Sequence, residues 1–149
     1  MAPTKLFEKL AASIANVLVA IVISFPFFVQ WGIDNDWKLV TIAIFFFYEM
    51  VFIFTPGKRD LGMRIIKSYW QNEPSFARYL LYNLLYSLSF ATLFFHIWFP
   101  LDLLLLNLLL LQLPIILIKQ NTVHGYLSGL ITTKKSPNRG LSQNLKANA

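Results

Sequence analysis

The chain has no cysteine among its 149 residues, which excludes a disulfide framework, a thiol nucleophile, an iron–sulfur cluster and cysteine-ligated zinc. Only two histidines remain as soft metal ligands, so no metal centre is expected. Charge is also scarce. Asp, Glu, Lys and Arg together make up 13% of the chain, where a soluble domain carries about 25%. With 56% hydrophobic residues, a protein this small cannot cover its surface with polar groups in water. Lipid is therefore the solvent implied. The chain also lacks a paired His-Glu metal motif, a Gly-rich phosphate loop after a strand, and a Ser, His and Asp set at one depth. Neither enzymatic activity nor a cofactor is expected.

What is present is four long apolar stretches. A helix needs about 20 mainly apolar residues to cross a hydrocarbon core of about 30 Å. Leu10 to Trp31, Trp37 to Phe54, Tyr79 to Phe99 and Leu101 to Ile118 all qualify. The first run is too long for a secretory signal, contains Pro26 and lacks a small-residue cleavage site, so it is expected to stay in the protein. Between the last two, Pro100 stops one helix and restricts Phe99 before it, which predicts a tight helical hairpin. The expected fold is thus an all-α integral membrane protein of four transmembrane helices within residues 1–132.

The basic residues set its orientation. Lys5 and Lys9 precede the first span. Lys58, Arg59, Arg64, Lys67 and Arg78 lie between the second and third, and Lys119, Lys134, Lys135, Arg139 and Lys146 follow the fourth, which makes 12 of the 13 on one side. Lys38 alone lies opposite, with Asp34, Asp36 and Asp102. The positive-inside rule then puts both termini in the cytoplasm. The net charge of +6 reads as a topology signal, since no nucleic-acid-binding motif or basic face accompanies it.

Between the second and third spans, Leu61, Ile65, Ile66, Tyr69 and Trp70 recur at helical spacing on one side, with Asp60, Arg64, Lys67 and Gln71 on the other. This predicts an amphipathic helix over 58–71 on the cytoplasmic surface, with Thr55 as cap and Pro56 at its first position. An extended hairpin is the rival reading. Lys134, Lys135, Pro137, Arg139 and Gly140 mark residues 133–149 as a disordered basic tail held near anionic lipid.

Polar side chains inside the spans align on one face of each helix. On the first, Lys9, Ser13, Asn16, Ala20 and Ser24 stay within about 60° of one another. On the third, Arg78, Tyr82, Ser89, Thr92 and His96 form a stripe with Tyr86 on its flank. Thr41, Tyr48 and Thr55 share a face of the second span with Glu49 beside them, and Gln112 pairs with Lys119 on the fourth. Glu49 lies about 8 Å from the inner end of its span. It is expected to meet a subset of Lys9, Asn16, Arg78 and Lys119, so that Lys9, Asn16, Glu49, Arg78, Tyr82 and Lys119 make one polar cluster. Such stripes either bind helices together or line a path, and an intramembrane acid points to function.

Three further runs carry a resemblance: Tyr48-Glu49, then Thr55-Pro56-Gly57-Lys58-Arg59-Asp60-Leu61-Gly62-Met63-Arg64-Ile65-Ile66, then Ser75-Phe76-Ala77-Arg78. The chain resembles the RDD family of small multi-pass membrane proteins, mostly bacterial, over about Lys9 to Thr132. Lys9 and Asn16 stand where that family carries an Arg and an Asp seven residues apart. In Thr122-Val123-His124-Gly125, His124 matches a family histidine and Gly125 replaces its second aspartate. The resemblance implies a bacterial inner-membrane protein in ion or small-solute transport, sodium–proton exchange included, with Glu49 left to carry any titration. It also implies roles for Thr55, Pro56, Gly57, Lys58, Gly62 and Arg64: a turn out of the membrane, close packing at Gly62, and basic contacts to lipid headgroups. Four helices enclose little room, which favours a homo-oligomer interface for transport. The alternative is a non-enzymatic scaffold or accessory subunit that binds a membrane-protein partner or anionic lipid.

Overall fold

The computed structural model describes residues 4–98 and 101–134. Helix α1 (Leu6–Trp31) opens where the Lys5 amide donates to Glu8 Oε2 at 2.9 Å and closes on Gly32, whose positive φ lets its amide reach the Phe28 carbonyl at 2.7 Å. After a three-residue turn, Asp34 caps helix α2 (Asn35–Val51) by accepting from the Trp37 amide at 2.8 Å. A 3-10 turn (Phe52–Phe54) carries the chain out of α2. A short helix α3 (Leu61–Ile65) and strand β1 (Tyr69–Trp70) follow, then α4 (Phe76–Ala91), capped by Ser75. Strands β2 (His96–Trp98) and β3 (Leu101–Asp102) form an antiparallel pair. Helix α5 (Leu103–Lys119), with π-helical turns over Asn107–Gln112, leads to α6 (Val123–Ser128) and strand β4 (Thr132–Thr133).

The fold is all-α apart from these two-stranded pairs. α1 and α2 are long and apolar enough to cross a membrane. Their packing explains which faces meet. α1 buries Ala12, Asn16, Ala20 and Ser24, four small or narrow side chains at intervals of four, against Thr41, Phe45 and Glu49 of α2 at the same interval. Small residues on one helix let the other approach closely. α4 turns Tyr79, Tyr82, Asn83, Tyr86, Ser87 and Phe90 into the same core. Large apolar side chains point outward instead: Val22 is 70% exposed, Phe47 65%, Leu88 67% and Leu117 68%, while Asn16, Thr41, Glu49 and Asn83 are 0–1% exposed. That arrangement, polar inside and apolar outside, reverses the polarity of a water-soluble protein.

Several expected boundaries shift. The third apolar stretch is helical only to Ala91, and the turn expected as a helical hairpin is the β2–β3 pair, so His96 leaves the α4 stripe; Phe99 and Pro100 lie outside the described residues. The surface helix expected over 58–71 shrinks to five residues. Asp60, not Thr55, caps it, accepting from the Met63 amide at 2.6 Å, and Lys67 at φ +54° ends the helical turns. Tyr69 and Trp70 then pair with Thr133 and Thr132. A partner strand satisfies these backbone groups better than one more turn at a frayed end, and local periodicity carries no information about that partner. The pairing also orders the start of the expected tail, whose residues from 135 onward lie outside the described set. Thr4 joins the same seam, its amide donating to the Thr132 carbonyl at 3.2 Å. The start of α1, the loop after α2 and the segment after α5 are thereby tied together at one end, which carries most of the basic residues.

Candidate functional site

At this basic end the structure builds its polar centre around Asn16. Gly62 lies so close to α1 that a Cβ there would sit 2.2 Å from the Ala12 carbonyl oxygen. This contact needs glycine for space, not for φ. It brings the Gly62 amide to Asn16 Oδ1 at 2.8 Å, and Tyr48 Oη donates to the same oxygen at 3.2 Å. Asn16 and Asp60 line the same cavity, and the Asn16 side chain favours the charged form of the Asp60 carboxyl. One amide thus ties α1 to α2 and to α3.

Beside Asn16 lies a cavity of about 60 Å³, lined by Lys9, Ser13, Asp60, Tyr82, Tyr86 and His124 among others. At roughly 10–15 Å³ per probe-sized site it is large enough for a few waters or a small ion. Ser13 Oγ and Tyr86 Oη are 2.8 Å apart. Lys9 Nζ donates to the Gln120 carbonyl at 2.7 Å and reaches Asn121 Oδ1 at 3.4 Å. His124 is set by α6, whose cap Thr122 accepts from the Gly125 amide, and its ring stacks on Tyr86 at 4.6 Å and meets Tyr82 edge-on at 4.7 Å. Its Nδ1 is buried without a hydrogen-bond partner among the described residues.

Burial dominates the electrostatics. It pushes the Asp60 carboxyl above its ordinary range, outweighing the Met63 amide, the Asn16 side chain and the charges of Arg59 and Arg64. Burial, aided by the nearby Lys9 charge, pushes the His124 imidazole down to about 3, so that it is neutral at pH 7. The cavity therefore offers an acid, an uncharged imidazole, a lysine and hydroxyls. Among the described residues no three His, Asp or Glu side chains gather as a metal set.

The cluster expected from the sequence is only partly assembled. Lys9, Asn16 and Tyr82 line the cavity, and His124 joins them. Arg78 lies on the exposed face of α4, and Lys119 is exposed on α5, 5.6 Å from the centre of the Tyr126 ring. Glu49 is fully buried, yet neither carboxyl oxygen has a hydrogen-bond partner among the described residues, and no basic group there comes within ion-pair distance. The expected ion pair fails because the candidate cations are engaged or turned away, Lys9 by the 120–121 loop and Arg78 and Lys119 by the phase of their helices. Gln112, paired with Lys119 in the sequence reading, instead donates to Ser89 Oγ at 3.1 Å and accepts from the Val123 amide at 3.2 Å.

The motif loop has structural employment. Thr55 Oγ1 donates to the Phe52 carbonyl at 2.8 Å, and Gly57 takes a positive φ beside Pro56 in the turn. Lys58 donates to the Pro74 carbonyl at 2.8 Å and pairs with Glu73 at 3.4 Å, while Arg64 Nε donates to the Arg59 carbonyl at 3.1 Å and remains exposed. Sequence reasoning missed Asp60, placed on the water-facing side of a surface helix. The available signal was its place as a helix-capping acid two residues before a glycine.

The far half of the bundle is different in kind. Phe28, Trp37, Phe94, Phe90, Phe45 and Tyr86 form a continuous ladder of ring contacts with centroid spacings of 4.2–5.6 Å, ending on His124. The buried hydroxyls there turn back on their own helices, Ser24 to the Ile21 carbonyl and Thr41 to the Trp37 carbonyl.

No family model, no curated protein and no solved structure matches the chain.

Proposed function

We propose that this is a four-span protein of the RDD type in the bacterial cytoplasmic membrane, with both termini cytoplasmic, which takes an ion or small polar solute into the Lys9–Asp60–His124 cavity as a step in its transport. The observation that carries this reading is a polar cavity, with a buried acid and an unpartnered imidazole nitrogen, at the basic end of a bundle that is apolar outside. The four-span topology is supported by the outward faces of α4 and α5, where Leu84, Leu88, Leu110 and Leu117 are exposed. Their 16 and 17 residues cover about 24–26 Å of a core about 30 Å thick, so flanking residues must complete each crossing. The cytoplasmic placement of the cavity rests on the basic residues around it.

Asp60 takes the titrating role first assigned to Glu49, because Asp60 lines the cavity and Glu49 does not. The aromatic ladder closes the far half of the bundle, so passage requires either movement of α1 against α4 or a route between copies of a homo-oligomer. In proteoliposomes carrying a sodium or pH gradient, Asp60→Asn is expected to abolish coupled sodium–proton flux while the purified protein stays folded. Unchanged flux in that variant, or no flux in the parent protein, would overturn the transport reading.

The same ladder favours the second reading, a non-enzymatic scaffold or accessory subunit, because a dry outer half needs no solute route. A stoichiometric membrane-protein partner co-purifying in mild detergent, together with an absence of flux, would establish it.

A further inference from the structure

The polar cavity does not end in a wall. A groove of about 480 Å³ opens between α1, α4 and α5, and it shares Lys9, Ser13, Tyr86, Thr122 and His124 with the cavity. Its remaining surface is mostly apolar. Leu10, Ile14 and Leu18 of α1 face Leu93, in the turn after α4, and Leu108 and Ile116 of α5. The amides along it are already used: Asn107 donates to Ser89 Oγ at 2.7 Å and to Thr92 Oγ1 at 3.1 Å, and Gln112 is held by Ser89 and Val123. These groups hold α5 to α4 and leave the groove greasy.

Lys9 is the single charged residue of the groove. Its ammonium contacts neutral acceptors, the Gln120 carbonyl and Asn121 Oδ1, and no carboxylate among the described residues lies within ion-pair distance of it. An ammonium has three N–H donors, so it retains charge and donor capacity for an anion. Length gives a second argument. From Lys9 to Leu18 the groove follows nine residues of α1, about 14 Å at 1.5 Å per residue, which is half of a hydrocarbon core about 30 Å thick. A groove that begins at a cation at the basic end and runs one leaflet deep matches one molecular shape. It fits a lipid with an anionic head and an apolar chain.

We infer that the groove between α1, α4 and α5 holds an acyl chain of an anionic phospholipid from the leaflet on the basic side, with its phosphate at Lys9. The inference rests on the membrane reading above and not on transport. An occupied groove would also close the open side of the polar cavity, since five residues line both.

The test is native mass spectrometry of the full chain released from nanodiscs of equal parts phosphatidylglycerol and phosphatidylcholine. Phosphatidylglycerol is expected to be retained in preference to phosphatidylcholine. Lys9→Gln is expected to lower the phosphatidylglycerol-bound fraction by about fivefold, the factor that one interfacial basic residue contributes. Ile14→Trp fills the groove from a residue that is 51% exposed, so it should displace lipid of either headgroup while thermal unfolding stays near that of the parent chain. Equal retention of the two lipids would overturn the proposal, as would phosphatidylglycerol retention indifferent to both substitutions. A dimer that Ile14→Trp disrupts, with no lipid bound in the parent, would assign the groove to a second copy instead. Failure of the chain to enter nanodiscs at all would overturn the membrane reading itself.

Discussion

The two halves of the bundle are held by different physics although the same helices run through both. In the far half, rings of Phe28, Trp37, Phe94, Phe90 and Phe45 touch in sequence, edge-on except for the stacked Phe90–Phe45 pair, and the buried hydroxyls of Ser24 and Thr41 bond to their own helices. In the basic half, Asn16, Tyr48, Gly62, Ser13 and Tyr86 bond from one element to another around a cavity. The far half therefore depends on shape and the basic half on directed hydrogen bonds. Polar side chains inside a span need not mark a route: Ser24 and Thr41 are as buried as Asn16, but they make no contact that a solute could replace.

Removing volume should break the far half most. Phe45 is fully buried and stacks on Phe90 at 4.2 Å, so Phe45→Ala is expected to destabilise by about 3–5 kcal/mol in chemical or thermal unfolding in detergent. In the basic half the steepest loss should come from adding a single methyl group. Gly62→Ala places a carbon against the Ala12 backbone, and helix separation there should cost about 3 kcal/mol. Asn16→Leu keeps the approximate volume but strands the buried Gly62 amide, with a cost of about 2 kcal/mol.

The pH response is spread over several pH units and is confined to the basic half. Folding depresses the His124 pKa from 6.5 to about 3. Over that window the unfolded chain binds a proton that the folded chain does not, so stability falls as pH falls from 6.5 toward 3. The slope is at most about 1.4 kcal/mol per pH unit. Asp60 works in the opposite sense, because its raised carboxyl contributes stability at low pH that is lost as pH rises through its folded pKa. His124→Phe preserves a ring against Tyr86 and should remove the histidine part of the acid sensitivity, measured as melting temperature against pH. The smallest effect closes the comparison. Ser24→Ala should change stability by under about 1 kcal/mol, because its hydroxyl bonds a carbonyl of its own helix, and a loss as large as that of Asn16→Leu would erase the distinction between the halves.

Much of the scaffold was legible in the chain. The face of α1 carrying Asn16, Ala20 and Ser24 follows from helical period alone, and the gathering of basic residues at one end of the bundle follows from their order along the chain. The end of α1 at Gly32 and the start of α2 at Asp34 are local signals too. The candidate site was less legible. Lys9, Asn16 and Tyr82 were identified from depth and phase, but Glu49 was expected to find a cation and does not. Asp60 was read as water-facing, because periodicity over 58–71 treats the segment as one isolated helix. Its burial arises from three contacts distant in sequence: Gly62 on Ala12, Asn16 on the Gly62 amide, and Trp70 paired beside Thr132.

The sequence by itself determined the long apolar helices, the polar face of α1 and the end at which charge accumulates, since these depend on composition and on periods within one segment. Only the tertiary structure decided that Asp60 is buried, that Glu49 has no basic partner, that His124 stacks in the core, and that the polar cavity opens into an apolar groove. Those outcomes depend on which backbones can approach to within a hydrogen bond. At Gly62 that approach is permitted by the absence of one carbon atom, and its partner is 46 residues away.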